Sequence, residues 1–147
     1  MKAFRMMLIL AFSLLFANVA SATKANLTGW VNQRGSTLYI TRTSPSGQFE
    51  GTFINRAAGF RCQNSPYPVV GWRYGTAITF SVKWQNPQES CNSITAWTGF
   101  ISGGTMTTLW QLVPNGATST RQIMQGEDTF RPLAIMKNDS ILLKKAK

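Results

Sequence analysis

The chain has 147 residues, 15 of them basic and 5 acidic, with no histidine and two cysteines. Without histidine a Ser-His-Asp triad cannot be assembled, and two cysteines are too few ligands for a structural metal site. Of the acids, Glu50, Glu89, Glu127, Asp128 and Asp139, only Glu127 and Asp128 adjoin, and neighbours on a strand face opposite ways, which speaks against an acid/base pair across a cleft.

Residues 1–22 read as a secretory signal peptide. Lys2 and Arg5 form a positive start, Met6 to Phe16 is an apolar run, and Ala20-Ser21-Ala22 has the small-x-small form of a cleavage site. The apolar run is short for a bilayer span, which disfavours the competing reading, a retained anchor. Residues 23–136 are then one β-domain and 137–147 a basic tail, in a secreted or periplasmic protein. Without Lys2 and Arg5 the balance is +8. The cations are scattered until Lys144-Lys145-Ala146-Lys147 and form no stripe with aromatics. A solvated basic surface fits this better than a nucleic-acid partner. Cys62 and Cys91 fit an oxidising compartment. A bridge between them would close a loop of about 29 residues and contribute about 3–4 kcal/mol; two buried thiols are the alternative.

From there the sequence is a series of short β-like segments. Leu27 to Gln33 is followed by a tight turn at Arg34-Gly35, and Ser36 to Thr43 by the turn Ser44-Pro45-Ser46-Gly47. Gln48 to Asn55 is third. Arg56 to Pro68 is a long loop holding Cys62, and Val69 to Arg73 a short fourth strand. Ala77 to Trp84 alternates most clearly, with Ile78, Phe80, Val82 and Trp84 on one face. Gln85 to Cys91 is expected as a loop, Ser93 to Ser102 as the sixth strand, and Thr105 to Val113 as the seventh after a Gly103-Gly104 turn. Thr120 to Ile135 forms the eighth, with a bulge at Gly126. Eight strands joined by short turns indicate an all-β fold, and hairpin connections favour an antiparallel up-and-down β-barrel over a sandwich. Such a barrel has room for one small ligand.

Within the sixth segment, Ser93, Thr95 and Trp97 share one face, while Ile94, Ala96, Thr98 and Phe100 share the other. Two hydroxyls beside an indole suit the wall of a pocket. Trp30, Trp84, Trp97 and Trp110 sit near strand ends. Asn32 shares a face with Trp30, Ser36 follows across the turn, Asn55 shares a face with Phe53, and Asp128 lies near the start of the last strand. Singly, each has a structural explanation, as core or as a backbone cap.

Together they resemble the avidin and streptavidin family of biotin-binding proteins. The resemblance is carried by Thr28-Gly29-Trp30-Val31-Asn32-Gln33-Arg34-Gly35-Ser36-Thr37, Gly51-Thr52-Phe53-Ile54-Asn55, Val82-Lys83-Trp84-Gln85-Asn86, Ser93-Ile94-Thr95-Ala96-Trp97-Thr98-Gly99, Leu109-Trp110-Gln111-Leu112 and Gly126-Glu127-Asp128-Thr129-Phe130. Asn55-Arg56-Ala57-Ala58-Gly59 and the segments around both cysteines are similar to the dimeric, rhizavidin-like branch, in which the two cysteines are paired. The resemblance implies a homodimer that binds biotin, with no cofactor and no membrane or nucleic-acid partner. It places Asn32 and Ser36 as donors to the ureido oxygen and Asp128 and Asn55 as acceptors from the ureido N–H groups. It places Trp84, Trp97 and Trp110 around the thiophane ring and the start of the acyl chain, Thr95 at the sulfur, and Leu112 beside Trp110. Asn92 and Ser93 meet the valerate carboxylate, helped by backbone N–H groups of the Arg56–Gly59 loop, Ala57 among them.

Two departures matter. Phe53 stands where the family has a tyrosine donor, and a lost hydrogen bond of that kind is worth about 0.5–1.5 kcal/mol. The tetrameric members' capping tryptophan is also missing, because Ala117-Thr118-Ser119-Thr120-Arg121 holds none. A Cys62–Cys91 bridge that tethers a lid loop is the expected substitute, with Phe60 either closing the pocket or packing within the loop. A lipocalin-like carrier or an inhibitor acting through its loops are the competing readings; a lipid carrier has little use for four convergent polar groups.

Overall fold

In the computed structural model, residues 27–134 are described. The expected signal peptide and the 137–147 tail lie outside them, as do both ends of the 23–136 domain. Eight antiparallel strands run in chain order: β1 Thr28–Asn32, β2 Thr37–Thr43, β3 Gln48–Ile54, β4 Pro66–Tyr74, β5 Ala77–Asn86, β6 Glu89–Ser102, β7 Thr105–Pro114 and β8 Met124–Leu133. Each pairs with the next, and β8 pairs with β1, so the sheet closes into an up-and-down barrel. Closure leaves no edge strand along the sheet. Among the described residues no helix is long and apolar enough to cross a membrane.

Alternation places the core. Ile78, Phe80, Val82 and Trp84 of β5 are all buried, as are Phe49 and Phe53 of β3, Trp97 of β6, Met106 and Trp110 of β7 and Phe130 of β8. The aromatics pack on one another. Trp97 packs on both Phe80, at 5.0 Å and 13°, and Phe53, at 4.9 Å and 29°, whose own centroids are 6.4 Å apart. Such pairs add to the area they bury.

Several boundaries differ from the sequence expectation. Gln85 to Cys91 is not a loop: β5 runs to Asn86 and β6 starts at Glu89, so Cys91 lies within a strand. Their register shifts between Trp84 and Asn86, and this bulge obscures the alternation there. Pro66 and Pro68 belong to β4, not to the preceding loop. That end of β4 pairs with β3 alone, since pairing with β5 starts at Val69, so the missing N–H groups cost no ladder bond on that side. No bulge occurs at Gly126, because β7 and β8 keep one register from Met106↔Phe130 to Leu112↔Met124. Gly126 lies opposite Trp110, and a Cβ there would sit 2.6 Å from the indole Cζ2. Its glycine therefore answers a close approach and not a kink. Thr120–Gln122 is a 3₁₀ turn capped by Ser119, not the start of a strand.

Candidate functional site

One end of the barrel opens into a cavity of about 700 Å³. The inward rows explain it. Running towards this end, β1 finishes in Asn32, β5 in Trp84, β6 in Thr95 and Ser93, and β7 in Trp110 and Leu112, while Ser36 precedes β2 and Asn55 follows β3. All thirteen residues singled out from the sequence as ligand contacts line this cavity, Phe53, Ala57, Asn92, Trp97 and Asp128 among them. Trp30 does not. It shares the inward face of β1 with Asn32 but serves the opposite end, where it lines a second hollow with Ile40, Phe49, Ile78 and Ile101.

The β1–β2 turn sets the first polar group. Gly35 takes φ +83°, which favours glycine, and the Asn32 side-chain oxygen accepts from the backbone N–H of Arg34 (3.0 Å) and of Ser36 (2.8 Å). Its amide NH₂ is thereby oriented as the group left to offer. The Ser36 hydroxyl accepts from the Arg56 backbone N–H at 2.9 Å and donates to Asn55 Oδ1 across a long 3.4 Å. Asn55 also holds the β3–β4 loop: Oδ1 accepts from the Ala57 N–H (3.0 Å) and Nδ2 donates to the Arg61 carbonyl (3.0 Å). The Ala57 N–H is thus spent within the loop.

Asp128 is the one acid of the lining and is 4% exposed. Trp97 Nε1 donates to Oδ2 at 2.9 Å, Gln33 Nε2 donates to Oδ1 at 3.0 Å, and Arg34 Nε lies 3.5 Å from Oδ1. Gln33 also accepts from the Thr129 N–H at 2.9 Å, which ties the β1–β2 turn to β8. A buried carboxylate needs such donors to remain in place. Nearby, Trp84 Nε1 donates to Thr95 Oγ1 at 2.8 Å, leaving the Thr95 hydroxyl hydrogen free to turn into the cavity. The Ser93 hydroxyl donates to the Cys91 carbonyl at 2.8 Å, so it must rotate before it can donate to any ligand.

The cover over one side is the β3–β4 loop. Cys62 is bonded to Cys91, with Cα atoms 6.0 Å apart, and the Cys62 N–H donates to Glu89 Oε2 at 2.6 Å. Gln63 Nε2 closes the loop on itself through the Ala57 carbonyl at 2.7 Å. Phe60 lines the cavity and meets Trp110 edge-on at 6.1 Å and 86°. Arg34, read from the sequence only as part of a turn, lines the cavity too, as do Arg61, Asn115 and Met124. A segment that begins at Thr120 does not single out Met124; the register that pairs it with Leu112 does. For Arg34 the signal is a charged residue beside a glycine turn that faces the middle of β8.

An aromatic cavity with a few convergent polar groups defines a small-ligand binding protein. The comparison with known proteins gives the family. A model of the avidin family matches residues 21–133, and the chain belongs to that family. It is accordingly a binding protein and not an enzyme, and uses no cofactor. Afifavidin of Afifella pfennigii is 43% identical over 105 residues, 69% of this chain and 65% of afifavidin, so the chain spans just under two thirds of that relative. A biotin complex of a shwanavidin mutant, one phenylalanine replaced by alanine, is 59% identical with a TM-score of 0.68, covering 72% of this chain and 94% of that one. The rhizavidin–biotin complex is 41% identical with a TM-score of 0.68, covering 77% and 96%.

Proposed function

We propose that this chain binds biotin non-covalently and tightly in the open end of its barrel. The observation that carries the reading is the convergence of Asn32, Ser36, Asn55 and Asp128, from separate elements, on a cavity that Phe53, Trp84, Trp97 and Trp110 also line. A cyclic urea asks for that set. The Asn32 NH₂ and the Ser36 hydroxyl donate to its oxygen, while Asp128 and Asn55 accept from its two N–H groups. The 3.4 Å Ser36–Asn55 bond is the easiest to exchange: when Ser36 turns to the ureido oxygen, Asn55 Oδ1 regains a lone pair for an N–H. Trp84, Trp97 and Trp110 enclose the ring, Thr95 meets the sulfur, Leu112 packs beside Trp110, and Asn92 and Ser93 take the carboxylate.

The β3–β4 loop, tethered through Cys62–Cys91, is the lid. Less ordering is needed on binding when the loop is held beforehand. We propose a homodimer as well. Trp72, Phe100 and Leu109 lie outward on β4, β6 and β7 and are each about half exposed or more, an apolar surface that a second copy would cover. Export after removal of residues 1–22 puts the protein outside the cytoplasm, where it sequesters or scavenges biotin.

The test is a titration of the folded protein with biotin, followed by tryptophan fluorescence and melting temperature. Quenching and a rise in Tm with ligand concentration are expected; neither signal would reject the reading. Light scattering should give a dimer, and a tetramer stable without biotin would overturn that part.

A further inference from the structure

The Arg61–Cys62 peptide group of the lid loop is gripped at both ends. Its carbonyl accepts from Asn55 Nδ2 at 3.0 Å, and its N–H donates to Glu89 Oε2 at 2.6 Å. Among the described residues the Glu89 side chain makes no other hydrogen bond and no ion pair. Glu89 also stands outside the cavity lining, although Ser90, Cys91, Asn92 and Ser93, which follow it on β6, belong to it. The carboxylate therefore serves the loop and meets no ligand.

The residue it holds is in an unfavourable conformation. Cys62 has φ +56°, in the left-handed region that residues with a Cβ seldom adopt and that persists only where the surroundings impose it. The disulfide to Cys91 constrains where the Cys62 sulfur sits, not which way its peptide N–H points. A charged acceptor settles that direction. With the N–H aimed at Glu89, the carbonyl of the same planar trans group faces the opposite way, towards Asn55. That bond turns the Asn55 amide so that Oδ1 lies beside the Ser36 hydroxyl and the Ala57 N–H. Resting on the biotin reading, in which Asn55 Oδ1 accepts from a ureido N–H, we infer that Glu89 is a positioning residue for this acceptor. Through the Arg61–Cys62 peptide it fixes which way the Asn55 amide faces, and it slows biotin release without touching biotin.

The readouts are the biotin off-rate by stopped-flow chase and amide hydrogen exchange at Cys62 in the ligand-free protein. Glu89→Ala should speed release about three- to tenfold, less than the full loss of a charged hydrogen bond because the disulfide still holds the loop. Exchange at Cys62 should quicken in the same variant. Glu89→Gln, whose amide oxygen can still accept, should stay within about twofold of wild type. In an Asn55→Ala background Glu89→Ala should add less than about twofold, because the amide it orients is gone. A general loosening of the loop would instead add its full effect there. An off-rate or a Cys62 exchange rate unchanged in Glu89→Ala, or an equal acceleration with Asn55 absent, overturns the inference and leaves biotin binding standing. If biotin fails to bind the wild-type chain, the functional reading itself falls, and this inference with it.

Discussion

The two ends of the barrel are built from the same strands by the same alternation, yet they have opposite characters. At the far end Trp30, Ile40, Phe49, Ile78 and Ile101, with Thr28, Thr43 and Arg73 beside them, line a hollow of about 450 Å³. At the open end the same strands carry Asn32, Trp84 and Thr95, with Ser36 and Asn55 just beyond β2 and β3. On β1 only two positions separate the two environments. Apolar inward residues need no explanation beyond burial. Each polar one costs free energy unless it finds a partner, and at the open end the partners are backbone groups of the adjoining turn and loop as well as one another. The far end shows what the fold requires; the open end shows what was added for a ligand.

The contrast can be tested by removing one residue from each end. Asp128→Ala deletes a charged acceptor and strands the Trp97 and Gln33 donors. A charged hydrogen bond plus an unsatisfied buried partner amounts to about 3–5 kcal/mol, so biotin affinity should fall about a hundredfold or more in a competition titration. Ile78→Ala should lower stability by about 2–5 kcal/mol in urea unfolding while biotin affinity stays within a few-fold. If Ile78→Ala weakened biotin as much as Asp128→Ala, the division between the ends would be wrong.

Replacing Cys62 and Cys91 with serine comes next. Stability should drop by about 3–4 kcal/mol, and stopped-flow chase should show faster biotin release; an unchanged off-rate would reduce the bridge to a staple. Gly126→Ala should cost about 1–3 kcal/mol by overpacking, and because Trp110 must move, tryptophan fluorescence of the free protein should change with it. Phe53→Tyr is the smallest step. A hydroxyl that reaches the ureido oxygen should tighten biotin by about 0.5–1.5 kcal/mol; a loss of affinity would show that Phe53, stacked on Trp97, leaves no room for it.

Most of the architecture could be read in the chain before folding. The alternation of Ile78, Phe80, Val82 and Trp84 declares a half-buried strand wherever it is placed. Turn residues mark hairpins because they act locally, as Gly35 does through its positive φ. The errors fell where local rules are modified by a neighbour. Pro66 and Pro68 look like loop residues until it is known that β5 does not reach them. Gly126 looks like a bulge until Trp110 is placed against it. The strand character of Gln85 to Cys91 was masked by a bulge.

The site divides the same way. Residue types and spacings, with the family resemblance, singled out thirteen residues, and all line the one cavity. Hydrogen-bond direction was not available from them. That Asn32 presents its NH₂ and not its oxygen follows from two backbone N–H groups that exist only once the turn closes. That Ser93 is turned towards Cys91, and that Asn55 also holds the lid loop, are likewise properties of the assembled strands. Arg34 is the clearest case. In the sequence it lies 94 positions from Asp128, and only closure of β8 onto β1 puts its charge beside the carboxylate. Periodicity and turn chemistry act over a few residues and so determined the strands. Charge proximity acts through space, so only the closed barrel decided which side chains share a field.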